Sequence, residues 1–162
     1  MITIRPSRPE DVPRAVEIWC TAVDATHDFL TPVDRATIGE EVAGFLPDTP
    51  MLLAVDAQGH ALGFMALDDD HMEALFIDPA ARGTGIGRTL VEHALARHPR
   101  LTTDVNEQNA QAVGFYQRMG FAFASRSARD GEGRPYPVLH LRHRGTPASQ
   151  RGGARKRSRP TW

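Results

Sequence analysis

Arg82-Gly83-Thr84-Gly85-Ile86-Gly87 sets three glycines at alternate positions between an apolar stretch, Met72 to Ile77, that reads as a strand and a periodic stretch, Ile86 to Leu95, that reads as a helix. Without Cβ atoms the backbone can come close to a ligand and converge several N–H groups on one point. That point lies at a helix N-terminus, where unpaired donors and the helix dipole favour an anion, most economically a phosphate or pyrophosphate. The spacing excludes a P-loop, which requires Gly-Lys-Ser/Thr after four residues. It also departs from the dinucleotide fingerprint, because Arg88 stands where the third glycine of G-x-G-x-x-G would fall, although Asp104 lies about 20 residues on, where that fingerprint places a ribose-binding acid. On the strand before the loop, alternation puts His71, Glu73, Leu75 and Ile77 on one face. A carboxylate and an imidazole among apolar neighbours are candidates for proton transfer, or else polar residues at a strand entrance. No metal site is expected: the seven histidines include no pair at i and i+4, and Asp68-Asp69-Asp70-His71 lacks a second cluster.

The glycine run fits another signature, Arg/Gln-x-x-Gly-x-Gly/Ala, as Arg82, Gly85 and Gly87, preceded by Phe76-Ile77-Asp78-Pro79. A second stretch follows at a distance that suits one helix and one strand. Asn109, Ala112, Phe115-Tyr116 and Gly120-Phe121 match N-x-x-A-x-x-x-Y-x-x-x-G-F. With both motifs present in order, the chain resembles the GNAT family of acetyl-coenzyme A-dependent N-acetyltransferases over about residues 1–144, and its segments 24–30 and 106–109 look closest to an enteric bacterial branch of that family.

That resemblance implies a reaction and a set of roles. An acetyl group passes from acetyl-coenzyme A to a primary amine by direct attack through a tetrahedral intermediate. A lysine-like amine, with a reference pKa of about 10.4, must lose a proton first. Glu73 is the leading base, since a glutamate on this strand commonly serves in the family, and His71 is the competitor. Tyr116 matches the family residue that protonates the departing thiolate; otherwise it is a buried tyrosine with a satisfied hydroxyl. Phe76 and Ile77 are expected to pair by main chain with the pantetheine arm. Arg82, Gly83, Thr84, Gly85, Ile86, Gly87 and Arg88 are expected to hold the pyrophosphate, and Asn109 to lie near the pantetheine or cap a helix. His27, Asp28 and Phe29, on the segment joining the first two helices, border the acceptor in the family. The acceptor is a protein lysine or a small amine, and a homodimer is compatible with the family. The alternative is a non-catalytic acyl-coenzyme A sensor or scaffold.

These residues need a frame, and the rest of the chain supplies an α/β (α+β) domain. Thr3 to Arg5, Met51 to Val55, Ala61 to Leu67, His71 to Ile77, Leu101 to Val105, Phe121 to Ser127 and Tyr136 to Leu141 read as strands. Val12, Ala15, Val16, Trp19 and Val23 recur at helical intervals, a second helix follows Pro32, and Gln108 to Arg118 forms the last, closed by Gly120. The expected architecture is a single mixed sheet of about seven strands flanked by about four helices, the fold implied by the resemblance.

Composition agrees with one soluble domain: 41% hydrophobic and 24% charged residues, with no apolar run that would span a bilayer. One cysteine, Cys20, and no leader-like N-terminus make a cytoplasmic setting the expectation, and Cys20 reads as a small core residue. Of 19 Lys and Arg, seven fall from Arg142 onward, which leaves 12 basic against 20 acidic groups before it. The body is therefore acidic and suits a cationic amine. Residues 145–162 form a basic tail expected to be disordered, and without interleaved aromatics it gives little support for nucleic-acid binding.

Overall fold

The computed structural model describes residues 1–145, so the expected basic tail lies, from residue 146 on, outside the described residues. Seven strands form one mixed sheet in the order β1-β2-β3-β4-β5-β7-β6. They are β1 (Thr3–Pro6), β2 (Met51–Val55), β3 (Ala61–Asp68), β4 (His71–Ile77), β5 (Thr102–Asn106), β6 (Phe121–Ser127) and β7 (Val138–His143). Four α-helices, α1 (Val12–Thr26), α2 (Pro32–Phe45), α3 (Ile86–Arg97) and α4 (Ala110–Arg118), cover its faces. Among the described residues no helix is long and apolar enough to cross a membrane.

Local chemistry explains the helix boundaries. Thr31 caps α2 by accepting a hydrogen bond from the Asp34 N–H at 3.1 Å, with Pro32 in the first turn where a missing donor costs nothing. Asn109 caps α4 through Ala112 N–H at 3.2 Å. Gly120, with φ of 95°, turns the chain out of α4 into β6. On α1, Ala15, Ile18, Trp19, Ala22 and Val23 are buried against Phe64, Ala74 and Phe76 of the sheet. On the opposite face, Leu90 and Val91 of α3 and Tyr116 of α4 pack with Met65, Met72, Val105 and Phe121.

Two departures from regular pairing shape the centre of the sheet. In the β3–β4 ladder Ala66 pairs with Ala74 and Leu67 with Met72, so Glu73 is an extra residue in a β-bulge. A bulge reverses side-chain parity, which corrects the expectation that His71, Glu73, Leu75 and Ile77 share a face. Met72, Leu75 and Ile77 join the cluster under α3. His71 turns to the α1 side. The second departure is that β4 and β5, the only parallel neighbours among the described strands, pair at just His71–Thr102 and Met72–Thr103. Beyond that point the two strands part, and among the described residues the edge of β4 from Ala74 to Ile77 has no ladder partner on the β5 side.

Candidate active site

The parting strands open a groove of about 670 Å³, walled by Leu75, Phe76 and Ile77 of β4, the loop from Ala81 to Arg88, Asn109, Ala112, Phe115 and Tyr116 around α4, and Ala22, Thr26 and His27 at the end of α1. The two sequence motifs meet here, one on each bank. Gly83 and Gly85 adopt φ of 75° and 82°, the left-handed region, and a Cβ built on either would meet no protein atom within 4 Å. The open space above them and the N-terminus of α3 directly after Gly85 form a cradle that a side chain would fill and an anion can enter. Gly87, in the first turn of α3, faces the Phe115 ring, which a Cβ there would meet at 3.4 Å, an ordinary contact. Arg82, Arg88 and Arg118 line the same groove. Arg88 pairs with Glu92 at 3.5 Å. Arg118 and Gln111 were not foreseen from sequence, because their place on the bank depends on how α4 leans across the fork.

Of the expected cofactor residues, Thr84 is turned back, its hydroxyl donating to the Ala81 carbonyl at 2.5 Å, and it does not line the groove. Phe76 lines it while its ring packs in the core at 5.8 Å from Phe64 and 6.5 Å from Trp19, which leaves its main chain to face a ligand. Asn109 both caps α4 and lines the groove. Tyr116 sits at the apex of the fork, 6% exposed, its ring edge-on to Phe115 and Phe121. Its hydroxyl lies beside Thr103, whose own hydroxyl donates to the Met72 carbonyl at 3.0 Å. Burial pushes the phenol above its ordinary range, against an opposing effect of Thr103.

Neither proposed base lines the groove. Glu73 occupies the bulge beside the apex and is partly buried. His71 lies across the sheet from Tyr116, its Nδ1 2.7 Å from Thr102 Oγ1 and its Nε2 3.4 Å from Asp104 Oδ2, without a hydrogen-bond partner. Burial pushes the Asp104 carboxyl up, but the imidazoles of His140 and His71 outweigh it and hold the group well below the usual carboxylate range.

Among the acceptor candidates, His27 alone reaches the groove; Phe29 stacks between His27 and Tyr136 at 5.1 and 6.0 Å, and Asp28 is exposed. The Thr26 hydroxyl spends its proton on the Ala22 carbonyl at 2.8 Å, so His27 Nδ1–H must donate to Thr26 Oγ1 at 2.7 Å, leaving the lone pair on a buried, unpartnered Nε2. Burial pushes the imidazole down to about 4, opposed by Asp28. Above pH 6.5 the ring is neutral in both folded and unfolded chains; below it the unfolded chain takes up a proton that the folded one refuses until about pH 4. Unfolding free energy is therefore expected to fall by roughly 3 kcal/mol across that window on this account alone. Urea denaturation of His27→Gln at pH 7 and pH 4.5 should show a shallower loss than the parent; an equal loss would mean that His27 charges freely in the fold.

A charged clamp ties the β6–β7 connection to α2. Arg134, from the β6–β7 connection, pairs with Asp130 at 3.1 Å and Glu41 at 2.5 Å and lies 3.9 Å from Asp34, while Tyr136 hydrogen-bonds Asp34 and accepts from the Thr31 N–H at 3.2 Å. Among the described residues no group of three or more His, Cys, Asp or Glu side chains could hold a metal ion.

Residues 23–134 match the family of the acetyltransferase (GNAT) domain. The chain is 55% identical over 141 residues to the peptidyl-lysine N-acetyltransferase YjaB of Salmonella typhimurium, an alignment that covers 87% of this chain and 97% of the relative. The solution structure of apo-form YjaB from Escherichia coli superposes with a TM-score of 0.86 at 52% identity, covering 90% of this chain and 99% of that one. At the level of fold alone, the PaiA N-acetyltransferase from Thermoplasma acidophilum in complex with coenzyme A superposes with a TM-score of 0.71 at 19% identity over 88% of this chain and 99% of that one. A seven-stranded sheet forked between β4 and β5, a glycine cradle on one bank, a buried tyrosine on the other, and relatives of this closeness lead to one conclusion: the chain belongs to the GNAT family and is an N-acetyltransferase.

Proposed function

We propose that this enzyme transfers an acetyl group from acetyl-coenzyme A to the side-chain amine of a lysine in a peptide or protein, with Tyr116 as acid and His71 as base. The observation that carries the reading is the fork itself: its apex lies at the Met72–Thr103 pair, with the Tyr116 hydroxyl on one face and His71 one residue away on the other. Bound acetyl-coenzyme A would supply the acetyl group as a thioester. Gly83, Gly85 and the first turn of α3 offer backbone donors to its pyrophosphate, and Arg82, Arg88 and Arg118 offer charge. The edge of β4 from Ala74 to Ile77, beyond its pairing with β5, offers main-chain groups to an extended pantetheine arm, in the manner of an added strand. Tyr116 keeps its proton at the wall of the groove until a stronger base arrives there, and the groove's apolar lining raises the basicity of a departing thiolate as it does that of the phenol. His71, beside an ionised Asp104, is placed to take the proton of the amine.

The peptidyl-lysine acceptor is supported by the relatives named for that activity. Incubation with acetyl-coenzyme A and a panel of lysine peptides, N-terminal amines and polyamines, followed by free-thiol release, tests it. Thiol release with lysine peptides is expected. Release only with small amines would move the acceptor class, and donor binding without release from any amine would favour a sensor.

Glu73 retains one observation in its favour as base, since the bulge sets it at the point where the strands separate. His71→Gln is expected to remove the acidic limb of the kcat/KM profile, while Glu73→Gln retains that limb. The opposite pattern would transfer the role to Glu73.

A further inference from the structure

We infer that Lys156 is a substrate of this enzyme's own acetyl transfer, a single modification site presented to the groove by the chain that carries it or by a second copy. The inference rests on the reading of a lysine side chain as acceptor. Of the 19 Lys and Arg residues in the sequence 18 are arginine, and the one lysine is Lys156, within Arg155-Lys156-Arg157. The described residues, 1–145, therefore contain no lysine. A guanidinium stays protonated at every working pH and offers no neutral nitrogen to a thioester, whereas an ammonium can be deprotonated and acylated. Apart from the α-amine of Met1, the Nζ of Lys156 is the one amine this chain can offer to its own active site.

The folded part is built so that this chemistry cannot touch it. The ion pairs Arg5–Asp11 at 2.8 Å, Arg14–Asp78 at 2.7 Å and Arg126–Glu107 at 2.7 Å, and the clamp around Arg134, all use guanidinium groups. So do the cations that line the groove, Arg82, Arg88 and Arg118. Acetyl transfer neutralises none of them, and an enzyme working on lysine leaves its own frame and donor site unchanged. At Lys156 the N–C bond to the acetyl carbonyl forms as the C–S bond of the thioester breaks. The ammonium gives up two protons in all, one ending on the coenzyme A sulfur and the other in solvent, so the tail loses one positive charge.

The chain leaves the sheet close to the fork. Arg142 on β7 is the register partner of Thr102 on β5, which pairs in turn with His71 on β4. Two strand spacings, about 10 Å, separate β7 from β4 along that row. The chain is anchored as far as Arg144, whose N–H donates to the Gly120 carbonyl at 2.8 Å. Lys156 follows Gly145 by eleven residues, a tether of at most about 40 Å. The strand along which the fork opens, β4, has seven residues and runs about 23 Å, so the tether is longer than the whole side of the fork. Charge favours the approach as well: residues 142–162 carry seven basic groups and no acid, against 12 basic and 20 acidic groups in residues 1–141. An acceptor tethered within reach has an effective concentration of about millimolar, which a free peptide must match from solution.

Mass spectrometry of the untagged full chain after incubation with acetyl-coenzyme A tests this. The folded protein is expected to gain one acetyl group, mapped to Lys156, at least about tenfold faster than the same chain unfolded in urea, which reports the uncatalysed reaction. Lys156→Arg keeps the charge of the tail and should abolish the gain, while thiol release with an added lysine peptide continues at the parent rate. A rate independent of protein concentration assigns the acceptor to the same chain, and a rate proportional to it assigns the acceptor to a second copy. Equal rates in folded and unfolded chains, or acetyl found on the Met1 amine alone, would overturn the inference. So would an unmodified Lys156 in an enzyme that acetylates added lysine peptides, and in that case the acceptor reading stands without it. If neither Lys156 nor any lysine peptide is acetylated, the acceptor reading falls and takes the inference with it.

Discussion

Gly85→Asp is expected to leave a folded enzyme whose affinity for acetyl-coenzyme A has dropped about 100-fold, or about 2.7 kcal/mol. Two features of the loop make the loss large and the fold tolerant. Gly85 has φ of 82° and is the N-cap of α3, and a Cβ there meets no protein atom within 4 Å. The new side chain therefore costs only the left-handed backbone penalty, which Asp bears better than most residues at about 1 kcal/mol. As an N-cap residue its carboxylate also accepts from the first N–H groups of the helix, which stabilises α3 and occupies the donors an anion would use. What the substitution damages is the space and the charge above the loop. Gly85→Asn separates these effects, since it fits the same backbone and caps the same donors without a charge; it should lose less affinity than Asp. Calorimetric titration gives both values, and parent-like affinity in folded Gly85→Asp would remove the pyrophosphate from this loop.

The frame was legible because its signals are local. The cap at Asn109, the terminator at Gly120 and the apolar stripe of α1 each act within a few residues, and all stand where the sequence puts them. The glycine loop was legible for the same reason: its conformation is written in residues that few other backbones require. Both motifs could be placed at the ends of adjacent elements, and the fold brings them to opposite banks of one groove. The base could not be read so directly. A single bulged residue, Glu73, reverses the parity of β4, and nothing in the run His71 to Ile77 announces it, because the bulge is fixed by the pairing of β3 with β4. Strict alternation put His71 with Leu75; the bulge sends it to the other face, beside Asp104. That contact, like the one between Asp104 and His140, joins residues more than 30 positions apart and depends on strand order, which periodicity does not contain. His27 shows the converse. Its position bordering the groove followed from the family resemblance, while its neutrality and the lone pair on its buried Nε2 follow only from burial and from the hydroxyl of Thr26 being committed to Ala22.

Tyr116→Phe is expected to lower kcat about 100-fold while leaving acetyl-coenzyme A affinity unchanged. The ring can stay where it is: it packs edge-on at 5.3 Å from Phe115 and 5.5 Å from Phe121, and neither contact involves the hydroxyl. Loss of the hydroxyl does not threaten the fold, because Thr103 remains bonded to the Met72 carbonyl. The removed atom is the proton held at the apex of the fork, where a thiolate must be neutralised as it forms. Because burial holds the phenol above its ordinary range, Tyr116 is protonated across the whole working pH range, and its loss should lower the rate at every pH without deleting a limb of the profile. That separates it from the base, whose replacement changes the shape of the profile. Rates measured from pH 5.5 to 9 on the parent and the variant, together with the dissociation constant for acetyl-coenzyme A, give both quantities. A parent-like kcat would show that the thiolate takes its proton from solvent and that Tyr116 serves only to pack α4 against β5 and β6. A loss that appears wholly in the dissociation constant would place the hydroxyl among the groups that hold the donor.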